Sequence, residues 1–242
     1  VQKIGTGTTV RRTIQKTFWM VQELEDGQVE TQPLNVNYIP SGPKRKIPLE
    51  DLLQKFSPEP EFYLHSVFPA LQNLNKTIDK GEEHRKNGEL FSAENEFKEA
   101  LKVDVDNVRA NFGLGLTYLE REEVDKAEDI FQRLVKLDAT FEPDHKHLFN
   151  EFGIKLRKNK MYEQAMEYYT RAEELTTGDE NLLYNMARAL FEKGDAKQAG
   201  ERLATVLSLN PSHSQALKFH AWLVKQGAIS DTGSSQASAG QE

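Results

Sequence analysis

A period of 34 residues runs through positions 74–213. Small residues stand at Gly81, Gly115, Gly153 and Ala187. Twelve residues after each comes an alanine (Ala93, Ala127, Ala165, Ala199), and four beyond it a large apolar residue (Phe97, Phe131, Tyr169, Leu203). Three further lies Ala100, Leu134, Ala172 or Val206. The small residues are spaced 34, 38 and 34 apart, so four inserted residues separate the second unit from the third. Such self-similarity restricts the fold more than any local motif, because each unit must be one supersecondary piece stacked on its neighbours.

Two helical periods within one unit predict a helix, a tight turn and a second, antiparallel helix. First helices are expected near 70–87, 108–120, 146–158 and 180–192, and second helices near 90–102, 123–136, 161–174 and 195–208. Gly or Ala at the paired small positions lets the two backbones approach, with Phe97, Phe131 and Tyr169 filling the space beside them. No pair buries its own apolar face, so at least about three must stack. A further amphipathic stretch, 214–227, carries Ala216, Leu217, Phe219, Trp222 and Leu223 and is expected to cover the last repeat, burying Trp222 and Leu223.

The pattern resembles the tetratricopeptide repeat, whose motif is W-x2-L-G-x2-Y, then A-x3-F, then P. The second unit reads Asn111-x-x-Leu114-Gly115-x-x-Tyr118 with Ala127 and Phe131; the fourth reads Leu183-x-x-Met186-Ala187-x-x-Leu190 with Ala199, Leu203 and Pro211. The resemblance covers about 140 of 242 residues and implies a mainly α helix-turn-helix solenoid of four repeats with a C-terminal capping helix. It also implies a concave groove lined by the first helices, which binds a peptide or helix of a partner protein. Of the positions carried over from the family, which in the fourth repeat begin with Asn181, those assigned to partner binding are Arg109, Phe112, Leu116, His147, Asn150, Ile154, Arg157, Tyr184, Asn185 and Arg188. One branch of the family clamps a ligand's C-terminal carboxylate with Lys, Asn and Arg. Here Ile78 and Glu82 stand at two of those positions and only Asn185 matches a clamp asparagine, which argues against that mode.

The N-terminal 57 residues follow a different rule. From Thr13 to Leu24 the apolar period is two, with Ile14, Phe18, Met20 and Leu24 on one face and Trp19 and Val21 on the other. Asp26-Gly27 reads as a two-residue hairpin turn, and the returning strand, to Ile39, is expected to set Leu24 opposite Val29. Residues 1–12 read as loose, 47–56 as a short helix, and 61–70 as a helical lead-in broken near Pro69. An isolated hairpin is marginal in water. Phe18, Trp19, Met20, Val36 and Tyr38 therefore form an arm interface, which either pairs with a second copy of the chain or folds back as an N-terminal cap. Lys44-Arg45-Lys46 and Ser57-Pro58-Glu59-Pro60 read as spacers holding the arm away, which favours the first. The expected divisions are 1–57 (arm), 58–229 (repeats and cap) and 230–242, a polar tail without apolar anchors.

Composition narrows the function. Net charge is −7, with +2 in residues 1–57 and −9 in the remainder, a balance that repels a phosphate backbone and weighs against general nucleic-acid binding. Apolar runs are far shorter than the ~18 residues needed to span a bilayer. Absence of cysteine removes disulfide and thiolate chemistry and fits a cytoplasmic protein. Asp144-His145-Lys146-His147 has no common metal spacing, and no phosphate loop or nucleophile elbow is present, so no catalytic residue, metal or cofactor is expected. The reading is a non-catalytic interaction scaffold. Its rivals are a self-assembling structural subunit and an enzyme with a site between arm and groove.

Overall fold

A computed structural model of the 242-residue chain describes residues 2–4, 11–13, 16–137, 145–176 and 178–230. The Gly/Thr run 5–9, Ile14, the insertion at 141–144 and the tail 231–242 lie outside the described residues. The chain forms two compact units, Val1–Asn111 and Phe112–Glu242.

Paired helices recur at the expected places: α3 (Phe68–Lys86) with α4 (Leu90–Val103), α5 (Val108–Glu120) with α6 (Val124–Leu134), α7 (Lys146–Lys158) with α8 (Tyr162–Leu175), and α9 (Glu180–Lys193) with α10 (Ala196–Leu209). α11 (Ser214–Lys225) follows. None of these is long and apolar enough to cross a membrane. One turn geometry serves all four pairs. Gly88, Glu122, Lys160 and Gly194 hold left-handed backbone, with φ of 77°, 58°, 62° and 104°. The next residue's N–H then reaches back to the first helix, Glu89 to His84, Glu123 to Tyr118, Met161 to Leu156 and Asp195 to Leu190, at 2.9–3.0 Å. Its carbonyl accepts from Ala93, Ala127, Ala165 or Ala199 and so starts the second helix. The repeated alanine is thus fixed by backbone bonding as well as by packing; all four are fully buried.

The small residues sit under aromatic rings. A β-carbon on Gly81 would stand 2.8 Å from the Phe97 ring, and one on Gly153 would stand 2.7 Å from the Tyr169 hydroxyl. Over Gly115 the expectation fails: Phe131 is buried, but the space belongs to Phe152 of the following hairpin and to Ile130, at 2.7 and 3.0 Å.

In the first unit the arm is a three-stranded antiparallel sheet, not a two-stranded hairpin. Its order is β3 (Trp19–Glu23), β4 (Gln28–Pro33), β5 (Arg45–Pro48). Residues expected to be loose hold a short ladder ahead of it, β1 (Gln2–Ile4) against β2 (Arg11–Thr13). Glu23, not Leu24, faces Val29. The cause is the turn: Gly27 N–H bonds the Leu24 carbonyl and Leu24 N–H bonds Gln28, a three-residue loop whose last residue, Gly27, takes φ 75°. One residue more in the loop shifts the pairing by one, which turns alternate side chains to opposite faces. Ile47 and Pro48 belong to β5, so α1 spans only Leu49–Lys55.

The basic run and the Pro-rich linker do not hold this sheet away. Arg45 and Lys46 lie in β5, and Glu59 pairs with Lys16 at 2.5 Å. Phe18 stacks on Phe62 at 3.9 Å, Tyr38 meets the same ring edge-on at 5.3 Å, and Trp19 meets Phe56 at 5.9 Å. The amides of Asn35 and Asn37 both donate to the Val103 carbonyl at 2.9 Å, closing the C-terminus of α4. Ser41 donates to the buried Asp104 carboxylate, whose pKa burial raises against that bond and the one from Asn107. Helix also continues through Pro69. Pro69 has no N–H to give the His65 carbonyl, and Tyr63–Val67 widens to a π turn in which Phe68 N–H bonds the Tyr63 carbonyl.

The second unit is built around rings. Tyr168 stacks on Phe149 at 4.6 Å and takes the edges of Phe152 and Phe112 at 5.6 and 6.4 Å. At its end α11 buries Ala216 and Leu223, while Trp222 stays 44% exposed rather than covered.

Candidate functional site

α9 is the middle wall of the site. Asp179 caps it, accepting from the N–H groups of Asn181 and Leu182 at 3.0 and 3.2 Å, and left-handed Gly194 ends it. Leu182, Leu183, Met186, Ala187, Ala189 and Leu190 fix one face in the core. Asn181, Tyr184, Asn185 and Arg188, at helical spacings of three and four, share the other face. α7 adds Asn150 and Ile154, one turn apart, and α11 adds Gln215. Together these seven side chains line an open cavity of about 300 Å³.

The lining holds four carboxamides, one phenol, one guanidinium and one aliphatic side chain, with no carboxylate among them. Carboxamides both donate and accept, which matches the peptide backbone. The Asn150 Oδ1 is buried and bonds no protein group. An acceptor in that condition carries a cost of about 1–3 kcal/mol. Charge is concentrated at one end: Glu192 pairs closely with the buried Arg157 and lies 3.6 Å from Arg188, so one carboxylate serves two guanidiniums. Tyr169, beneath Gly153, is held protonated by burial, against the pull of Arg157 and Arg188.

Five of the ten residues assigned to the groove lie in this cavity: Asn150, Ile154, Tyr184, Asn185 and Arg188. The others are elsewhere. Phe112 and Leu116 are buried core side chains, Phe112 lying 5.5 Å from Phe152. Arg157 is 4% exposed and committed to Glu192. Arg109, in the first unit, pairs with Asp79 and Glu82 at 2.8 and 2.9 Å; burial alone would lower its pKa, and those carboxylates raise it instead. His147 is exposed on α7 outside the cavity. Asn181, also a groove position by the family's spacing, lines the cavity too, and Gln215 joins it from outside the four repeats. Gln215 stands one period of 34 after Asn181, so the repeat itself contained the signal once α11 is read as a further first helix. Among the described residues no three metal-ligating side chains converge.

Two family models, each described as tetratricopeptide repeat, match residues 78–140 and 156–223, together more than half of the chain. The chain belongs to the tetratricopeptide repeat family. Among solved structures, PilF of Pseudomonas aeruginosa superposes with a TM-score of 0.51 at 19% identity, over 65% of this chain and 70% of that one. MamA does so with a TM-score of 0.50 at 22% identity, over 64% and 82%. Both likenesses concern the tetratricopeptide fold alone. By sequence, anaphase-promoting complex subunit 3 of Schizosaccharomyces pombe is 27% identical over 156 residues, 60% of this chain and 23% of its own length. The peroxisomal targeting signal receptor of Candida glabrata is 31% identical over 97 residues, 40% of this chain and 16% of its own length. This tetratricopeptide chain therefore spans less than a quarter of either protein.

Proposed function

We propose that this protein is a non-catalytic interaction scaffold whose groove between α7, α9 and α11 holds an extended segment of another protein. The observation that carries the reading is the amide-lined cleft formed by side chains of three successive first helices. In the bound state Asn150, Asn185 and Gln215 pair with the partner's backbone, Ile154 and Tyr184 take an apolar side chain, and Arg188 faces an anionic group. Extended recognition of this kind draws affinity from main-chain bonds and selectivity from side-chain pockets. By their names, the relatives are a receptor for a targeting signal and a subunit of a larger complex, roles that rest on contact with other proteins.

For the N-terminal arm we favour the capping role over pairing of two copies. Phe18, Trp19 and Tyr38 already have ring partners in the chain, and Met20 is half-buried; Val36, 92% exposed, is the one member of the proposed interface turned fully to solvent. The groove is tested by a photo-crosslinking residue placed at Asn185 or, as control, at Phe91, which is 75% exposed on α4. The expected product is one partner peptide joined at 185 and absent at 91. Equal labelling at both positions would remove the groove as the binding site.

A further inference from the structure

We propose that acidification loosens α11 through His213 and so weakens the groove's hold on its partner; the consequence for binding rests on the groove reading above, the loosening does not. The first helices of successive repeats begin after residues 107, 145, 179 and 213, which follow the period of the sequence. At the first of these Asn107 Oδ1 accepts the Ala110 N–H at 3.0 Å, and at the third Asp179 caps α9. At 145 the residue is also a histidine, but its ring caps nothing. At 213 the acceptor is an imidazole: Nδ1 of His213 takes the Ala216 N–H at 3.1 Å.

That bond specifies a protonation state. An imidazole nitrogen accepts only while it carries a lone pair, so the ring is neutral with its proton on Nε2. One added proton goes to Nδ1, turns the acceptor into a donor facing another N–H, and sets a positive charge at the positive end of the helix dipole. Asparagine at the equivalent place has no proton to gain. His213 is 9% exposed. From α9 it is faced by the Tyr184 phenol at 5.3 Å between ring centres, and Glu180 of the same helix accepts the Asn210 amide just upstream. The last turn of α10 and its C-cap, 205–210, carry no ionisable side chain, and α11 itself carries Lys218, His220 and, in its last turn, Lys225.

Gln215 lies two residues beyond this cap, within the turn that uncapping frays, and it is the side chain that α11 contributes to the cavity. Acid would thus open the cavity on the α11 side while leaving Asn150, Asn185 and Arg188 in place.

The test is hydrogen exchange at the Ala216 amide of the full chain, corrected for intrinsic rates, at about pH 7.5 and 5.5, which bracket the range where histidines charge. Protection should fall about fivefold in the parent, the factor that one N-cap acceptor is worth, and stay level in His213→Asn. Equal protection at both pH values in the parent, or the same fall in the variant, would overturn the proposal. An imidazole 15N spectrum of the parent provides a check that needs no variant: Nδ1 should be unprotonated at the higher pH, and a ring protonated there would also overturn it. No partner is needed for either readout, so the groove reading stands or falls separately, on binding by groove variants.

Discussion

At the scale of single residues, the hairpin turns show where the repeat departs from its own optimum. Glu122 and Lys160, both exposed, adopt at φ 58° and 62° the conformation that Gly88 and Gly194 adopt without a β-carbon. Left-handed backbone costs an ordinary L-residue roughly 1–2 kcal/mol, partly offset by the greater freedom that glycine loses on folding. Glu122→Gly and Lys160→Gly should therefore each stabilise by about 0.5–1 kcal/mol, and Gly194→Ala should destabilise by about 1 kcal/mol or more. Thermal unfolding midpoints that rise for the first two and fall for the third are the expected outcome. The period marks all four turn positions, but residue type reveals only the two glycines. The left-handed backbone at Glu122 and Lys160 is legible solely because the repeat sets them in line with Gly88 and Gly194.

Among the elements, the helices were legible nearly to the residue and the arm was not, for a physical reason. A helix boundary here is repeated four times, so capping, turn and packing signals reinforce one another across units. The sheet occurs once, and its register hung on whether Asp26-Gly27 closes a two- or three-residue loop, a choice that local sequence leaves nearly balanced. The third strand carries Arg45, Lys46 and Pro48, residues common on guarded sheet edges, whose local signals are those of a spacer and a helix start. Docking of the arm follows from contacts distant in sequence, such as Asn35 and Asn37 on Val103. Two such bonds and the Phe18–Phe62 stack, at about 1 kcal/mol each, make the arm part of its unit. A chain beginning at Glu59 should then unfold several degrees sooner than the intact protein, and both should sediment as monomers. A dimer that becomes a monomer on truncation would instead identify the arm as an interface between copies.

At the scale of the molecule, an acidic chain of net charge −7 gathers carboxamides and Arg188 in one cavity of its second unit. Of the family positions, Asn150, Ile154, Tyr184, Asn185 and Arg188 line that cavity. The family positions also drew in Phe112, Leu116 and Arg157, because a helix-face position does not tell whether the neighbouring helices close over it. The central claim is that the cavity side chains serve a partner rather than the fold. Arg188 and Asn185 separate the two, since among the described residues Arg188 pairs with Glu192 at 3.6 Å and partly exposed, a pair of little structural worth. The direct measurement is the affinity of the captured partner for the parent and for Asn185→Ala combined with Arg188→Ala, alongside their thermal midpoints. The account predicts a dissociation constant weaker by about tenfold or more, as for a groove arginine and its neighbour, with midpoints that coincide. Unchanged affinity in a folded double variant would contradict it.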